Sequence, residues 1–114
     1  MFYHGHNIEN FIKFEKHINS RYGFPCIFMT DEKDLALQYG KKIFQKEFYN
    51  ININSIDFKG KLSYSLEFRN LIYKLFQEGK KMVLIKNVYD RKNENLPLVK
   101  SNILVIFDLS ICTQ

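Results

Sequence analysis

The chain has 114 residues, 46% of them hydrophobic, and a formal charge of +5. That length predicts one domain, and eleven Phe with seven Tyr supply enough apolar bulk for a core without disulfide or metal staples. No run of the roughly eighteen apolar residues that a spanning helix needs occurs. Glu9, Asn10, Lys13 and Glu15 interrupt the first helix-like stretch, so a secretory leader is not expected and the sequence predicts a soluble, cytoplasmic protein.

Residues 2–5 read as a short strand. In "NIENFIKFEKHI", Ile8, Phe11, Ile12 and Ile18 share one helical face with Asn7 as N-cap, and Gly23 and Pro25 close the unit. "CIFMT" is a strand ending at Thr30, whose hydroxyl is placed to cap a helix opening on Asp31 and Glu32. That helix turns Leu35, Ala36 and Tyr39 inward and stops at Gly40. From Ile43 to Phe58 the period changes to two: Tyr49, Ile51 and Ile53 alternate with Asn50, Asn52 and Asn54, which predicts one strand with a polar side.

In "SYSLEFRNLIYKLFQEG", Phe68, Leu71, Ile72, Leu75 and Phe76 follow helical spacing between a serine cap and Gly79. "KMVLIKNVY" and "NILVIFDL" are two further strands, joined by the polar "DRKNENLPLVK" as an antiparallel pair. This order of elements predicts an α+β fold over 1–114, with small mixed or antiparallel sheets and about three helices.

Cys26 and Cys112 fit no metal spacing and lie in apolar stretches, "FPCIF" and "LSICT", that read as strand, so both are expected to be buried free thiols. His4 and His6 share a face if the first strand runs through both, as in a His-x-His metal pair, yet no second cluster of ligands accompanies them. The chain has no Gly-x-Ser-x-Gly elbow, no Walker loop and no Gly-x-Gly-x-x-Gly. Its excess of Lys and Arg is spread out and favours anionic partners, nucleotides and nucleic acid among them.

"FYHGH", "IFMTDEKDLALQYG", "VLIKNVYD" and "ILVIFDLSI" resemble, in order and spacing, the landmarks of small ADP-ribosyltransferase-like domains of the phage and polyvalent-protein type. More remotely they are similar to the catalytic domain of the poly(ADP-ribose) polymerases. The resemblance spans nearly the whole chain and implies an ADP-ribosyltransferase-like fold whose sheets form a cleft for NAD. It makes Tyr3, His4 and Gly5 the strand that lines the dinucleotide: the imidazole donates to a ribose hydroxyl, and glycine lets a planar ring approach the backbone. Phe28 and Tyr39 match the family's aromatic strand and the tyrosine that stacks on nicotinamide; Phe28 stands where many relatives have tyrosine and keeps only the ring.

The family's glutamate, which steadies positive charge at the ribose as nicotinamide leaves, has no counterpart, because Ile103 takes its place with Asn102 beside it. Resemblance to small phage relatives makes Asp90 the substitute acid, with Asn87 as its polar support. Read without the resemblance, "YDRKNEN" is a polar turn, Asn87 is a structural amide, and Phe28 and Tyr39 are core aromatics.

The implied protein is an NAD-dependent mono-ADP-ribosyltransferase, with His4, Tyr39 and Asp90 catalytic and Tyr3, His4, Gly5, Phe28, Tyr39 and Asn87 holding NAD as substrate. Its acceptor would be a macromolecule, a host protein if the chain is a phage-encoded inhibitor of host defence. Two other readings stay open: a catalytically inactive relative acting as a stoichiometric protein-binding inhibitor, and a basic nucleic-acid-binding domain.

Overall fold

A computed structural model describes residues 1–7, 18–52 and 54–113. Its strands are β1 Phe2–His6, β2 Ile27–Thr30, β3 Lys42–Lys46, β4 Ile56–Leu62, β5 Met82–Asp90 and β6 Val99–Ile106. Helices α1, Lys33–Tyr39, and α2, Leu66–Gln77, and a short 3₁₀ helix, Leu109–Thr113, complete the described elements. The fold is α+β, but the strands join in one mixed six-stranded sheet, ordered β3-β1-β2-β6-β5-β4, and not in several small ones. Only β4 and β5 are parallel, because α2 carries the chain back between them; the other neighbours are antiparallel.

Strand periodicity puts alternate residues on opposite faces, and each face has its own core. Cys26, Val83, Ile85, Ile103 and Val105 pack with Phe68, Ile72 and Leu75 of α2. The intervening Ile27, Met29, Leu84, Leu104 and Ile106 pack instead with Leu109 and Cys112. Helix α2 matches its sequence signals: the Ser65 hydroxyl accepts from the Phe68 N–H at 3.1 Å, and Gly79 takes φ 74° after the last turn. The antiparallel β5–β6 pair also matches, although β6 starts at Val99 and ends at Ile106, so "LSICT" is 3₁₀ helix and not strand. Both cysteines are free and buried.

Two expectations change, and a third lies largely outside the described residues. The single strand from Ile43 to Phe58 is two strands, β3 and β4, on opposite edges of the sheet. Between them Tyr49 is 80% exposed and Asn50 takes φ 59°, so turn-forming asparagine overrides the period-two pattern. Helix α1 starts at Lys33 because the Thr30 hydroxyl accepts from the Glu32 N–H at 3.1 Å in a local turn, while Asp31 reaches across to Asn102. The first expected helix, with Ile8, Phe11, Ile12 and His17, lies outside the described residues, as does Ile53; Ile18 is exposed, and the Asn7 side chain accepts from the Lys41 N–H.

Candidate functional site

β1 pairs with β3 along its whole length, from Phe2↔Lys46 to His6↔Lys42, but meets β2 at a single position, Tyr3↔Thr30. Where the ladder stops, the His4 side chain enters the seam and its Nδ1 donates to the Phe28 carbonyl at 2.8 Å. A carbonyl only accepts, so Nδ1 carries the proton, and Nε2 is the nitrogen that meets any further partner. Beside this opened seam lies a cavity of about 770 Å³, walled by α1 on one side and by the start of α2 on the other. Small-molecule sites span about 300–1,000 Å³, so it is large enough to take a nucleotide-sized ligand.

Tyr3, His4, Gly5, Phe28, Tyr39 and Asp90, from four separate stretches of chain, all line this cavity. Gly5 has a local structural reason: a Cβ there would lie 1.9 Å from the Ala36 carbonyl oxygen, so the backbone that approaches it closely is that of α1. Phe28 packs among the rings of Tyr22 and Phe68 as part of the wall.

Tyr39 does not turn into the core as helical periodicity predicts. It is 40% exposed at the end of α1, and its hydroxyl, in the cavity lining, donates to Asp90 Oδ2 at 2.7 Å. The chain between them folds so because Gln38 fastens α1 to the β5–β6 loop, accepting from the Lys92 N–H and donating to the Pro97 carbonyl. Asp90 is the last residue of β5, not part of a free turn, and is only 9% exposed. Its second oxygen accepts from the Ser63 hydroxyl. This partner follows from register: parallel β4 sets Leu62 beside Tyr89, so the next residue, Ser63, arrives beside Asp90. Burial, then the adjoining Asp90 carboxylate, pushes the Tyr39 phenol well above its ordinary range, so it stays a neutral donor at neutral pH. Burial likewise pushes the Cys26 thiol in the cavity wall up to about 12, which leaves it a poor nucleophile.

Asn87 does not join this group, and its expected role beside Asp90 is corrected. It sits at a bulge between Ile85 and Val88 with φ 58°, where its N–H donates to Asn102 Oδ1 and its Nδ2 to Asp57 Oδ1. Asn102 in turn donates both its N–H and its side-chain amide to Asp31 at 2.9 Å each. These residues tie β4, β5 and β6 to the turn before α1. Ile103 does line the cavity, as an apolar wall.

Sequence reasoning missed Ser63, Tyr64 and Arg21, which also line the cavity. In "SYSLEF" only the cap, Ser65, carries a local signal; Ser63 and Tyr64 matter through the register of β4 and β5. His4 and His6 hold their rings 6.5 Å apart and nearly parallel, and among the described residues no group of three or more His, Cys, Asp or Glu is placed to hold a metal ion. Among the same residues no helix is long and apolar enough to cross a membrane. No family model, curated protein or solved structure is significantly similar to the chain.

Proposed function

We propose that this cavity holds NAD and that the protein is an ADP-ribosyltransferase-like enzyme, passing ADP-ribose to a macromolecular acceptor. The observation that carries the reading is the convergence of Tyr3, His4, Gly5, Phe28, Tyr39 and Asp90 on one cavity of nucleotide-accommodating size. NAD supplies an N-glycosidic bond: as the ribose carbon leaves the nicotinamide nitrogen, that nitrogen keeps the electron pair, the acceptor's nucleophilic atom bonds the carbon, and its proton goes to solvent.

The chain's own residues do three things in this scheme. Phe28 and Tyr39 provide ring faces for flat heterocycles, and the Tyr39 ring is held in place by its bond to Asp90. The Phe28 carbonyl holds the His4 ring at the seam with its proton on Nδ1, so Nε2 of the neutral ring accepts from a ribose hydroxyl, the reverse of the donation that the resemblance implies. Asp90 brings negative charge to the cavity, and its two hydroxyl partners, Tyr39 and Ser63, prevent the carboxylate from reorienting as charge develops on the ribose.

Titration with NAD and assay of nicotinamide release test this reading. Wild type should bind NAD and release nicotinamide in the presence of acceptor. Asp90→Asn should retain binding and lose on the order of 100-fold in rate. A wild-type protein that neither binds NAD nor releases nicotinamide ends the proposal.

A second reading keeps the cavity without the reaction: a stoichiometric protein-binding inhibitor. The apolar Ile103 favours it, since it stands where the resemblance calls for a glutamate. A stable complex with a partner protein, formed without NAD and unaffected by Asp90→Asn, distinguishes it from the enzyme.

A further inference from the structure

The rim of the cavity differs in chemistry from its floor. Arg21, Arg91 and Lys92 all line the cavity, and none of them is in a salt bridge among the described residues. One carboxylate, Glu94, shares the rim with them, and Asp90 lies buried below. Tyr64 stands on the same rim, 48% exposed, with the Arg91 guanidinium 5.8 Å from its ring centroid. A half-exposed aromatic ring with a planar cation near it, beside two further cations that outnumber the one carboxylate on the rim, is the combination that stacks a base and contacts its phosphates.

We infer that the rim is an interface for single-stranded nucleic acid, with Tyr64 and Arg91 as the stacking pair and Arg21 and Lys92 as phosphate contacts. Unpaired bases are required, because a duplex keeps its ring faces stacked inward, away from Tyr64. An acidic protein segment would match the charge but leave the Tyr64 face unused. The inference goes beyond the transferase reading and names the acceptor class if that reading holds.

Binding of labelled oligo(dT) and oligo(U), measured by fluorescence anisotropy without NAD, is the test. Affinity should fall with salt at a log–log slope of about −1.4, the value for two phosphate contacts on a single strand. Tyr64→Ala should weaken binding about tenfold or more. Arg21→Ala should flatten the salt slope by about 0.7. Lys80→Ala, which removes a charge outside the cavity lining, should leave the base-stacking contribution unchanged. The inference is overturned if polyglutamate binds as tightly as the oligonucleotides, if Tyr64→Ala binds like wild type, or if no oligonucleotide binds at low salt. Because NAD is absent, failure here leaves the transferase reading standing, and failure to release nicotinamide leaves this one standing.

Discussion

Two seams of the same sheet are built in opposite ways. β5 and β6 pair from Met82↔Ile106 to Asp90↔Val99, interrupted only by the bulge at Asn87, and bury Ile85 and Val105 in one core and Leu104 in the other. β1 and β2 pair at one position only, and a histidine side chain takes the place of the missing ladder. The closed seam satisfies its backbone groups by strand pairing and spends its side chains on packing. The open seam leaves space beside it, and polar side chains gather there: His4, Tyr39, Asp90 and Ser63. A sheet thus makes a cavity without a second domain, by letting one pair of neighbours part while the rest of the ladder carries stability.

The sharpest way to break that comparison is to truncate each seam in turn. Ile85→Ala, at a fully buried position of the closed seam, should cost about 2–5 kcal/mol in denaturant unfolding. His4→Ala, at the open seam, should cost about 0.5–1.5 kcal/mol, the worth of one net hydrogen bond. Equal losses would mean that both seams bear the same load.

Next in size, Gly5→Ala should cost about 1–3 kcal/mol, because its methyl group meets the α1 backbone and not a movable side chain. Substituting Ala36 cannot relieve that contact, so rescue by Ala36→Gly would contradict it.

Tyr39→Phe should cost about 0.5–1.5 kcal/mol at neutral pH. The folded-state pKa of the phenol lies above its unfolded value of about 10, so its stabilisation is complete below about pH 10 and is lost as pH rises towards the folded value. Stability curves of wild type and variant should therefore run parallel to about pH 10 and converge above it. A gap that widens with alkali would reverse the assignment of Tyr39 as donor to Asp90.

The smallest contrast concerns the thiols. Cys26 belongs to the core on the cavity side and Cys112 to the core on the other face, and burial pushes them up to about 12 and about 11. Thiol reagents at about pH 8 should label neither until the protein unfolds. Rapid labelling of Cys26 in the folded protein would show that the cavity floor opens to solvent.

Much of the candidate site was visible as residues and little of it as geometry. His4, Phe28, Tyr39 and Asp90 come from the expected resemblance, and what the structure adds is that all four line one cavity. That Tyr39 and Asp90 touch was not legible, since a separation of 51 positions along the chain leaves no local trace of the contact. Asn87 shows the same limit: the sequence leaves a supporting role beside Asp90 and a structural amide both open, and the bulge decides for the second by turning it towards Asp57 and Asn102.

By itself the sequence determined the local, periodic features. These are helix α2 between Ser65 and Gly79, the apolar strands of the two cores, the β5–β6 pairing and the burial of both cysteines, each set by spacing, capping or hydrophobicity over a few residues. Tertiary structure alone decided that β3 and β4 separate to opposite edges, that β1 and β2 part after one pair, and that Ser63 reaches Asp90. Those outcomes depend on strand order and register, which are settled by contacts between residues far apart in the chain and leave no periodic signal along it.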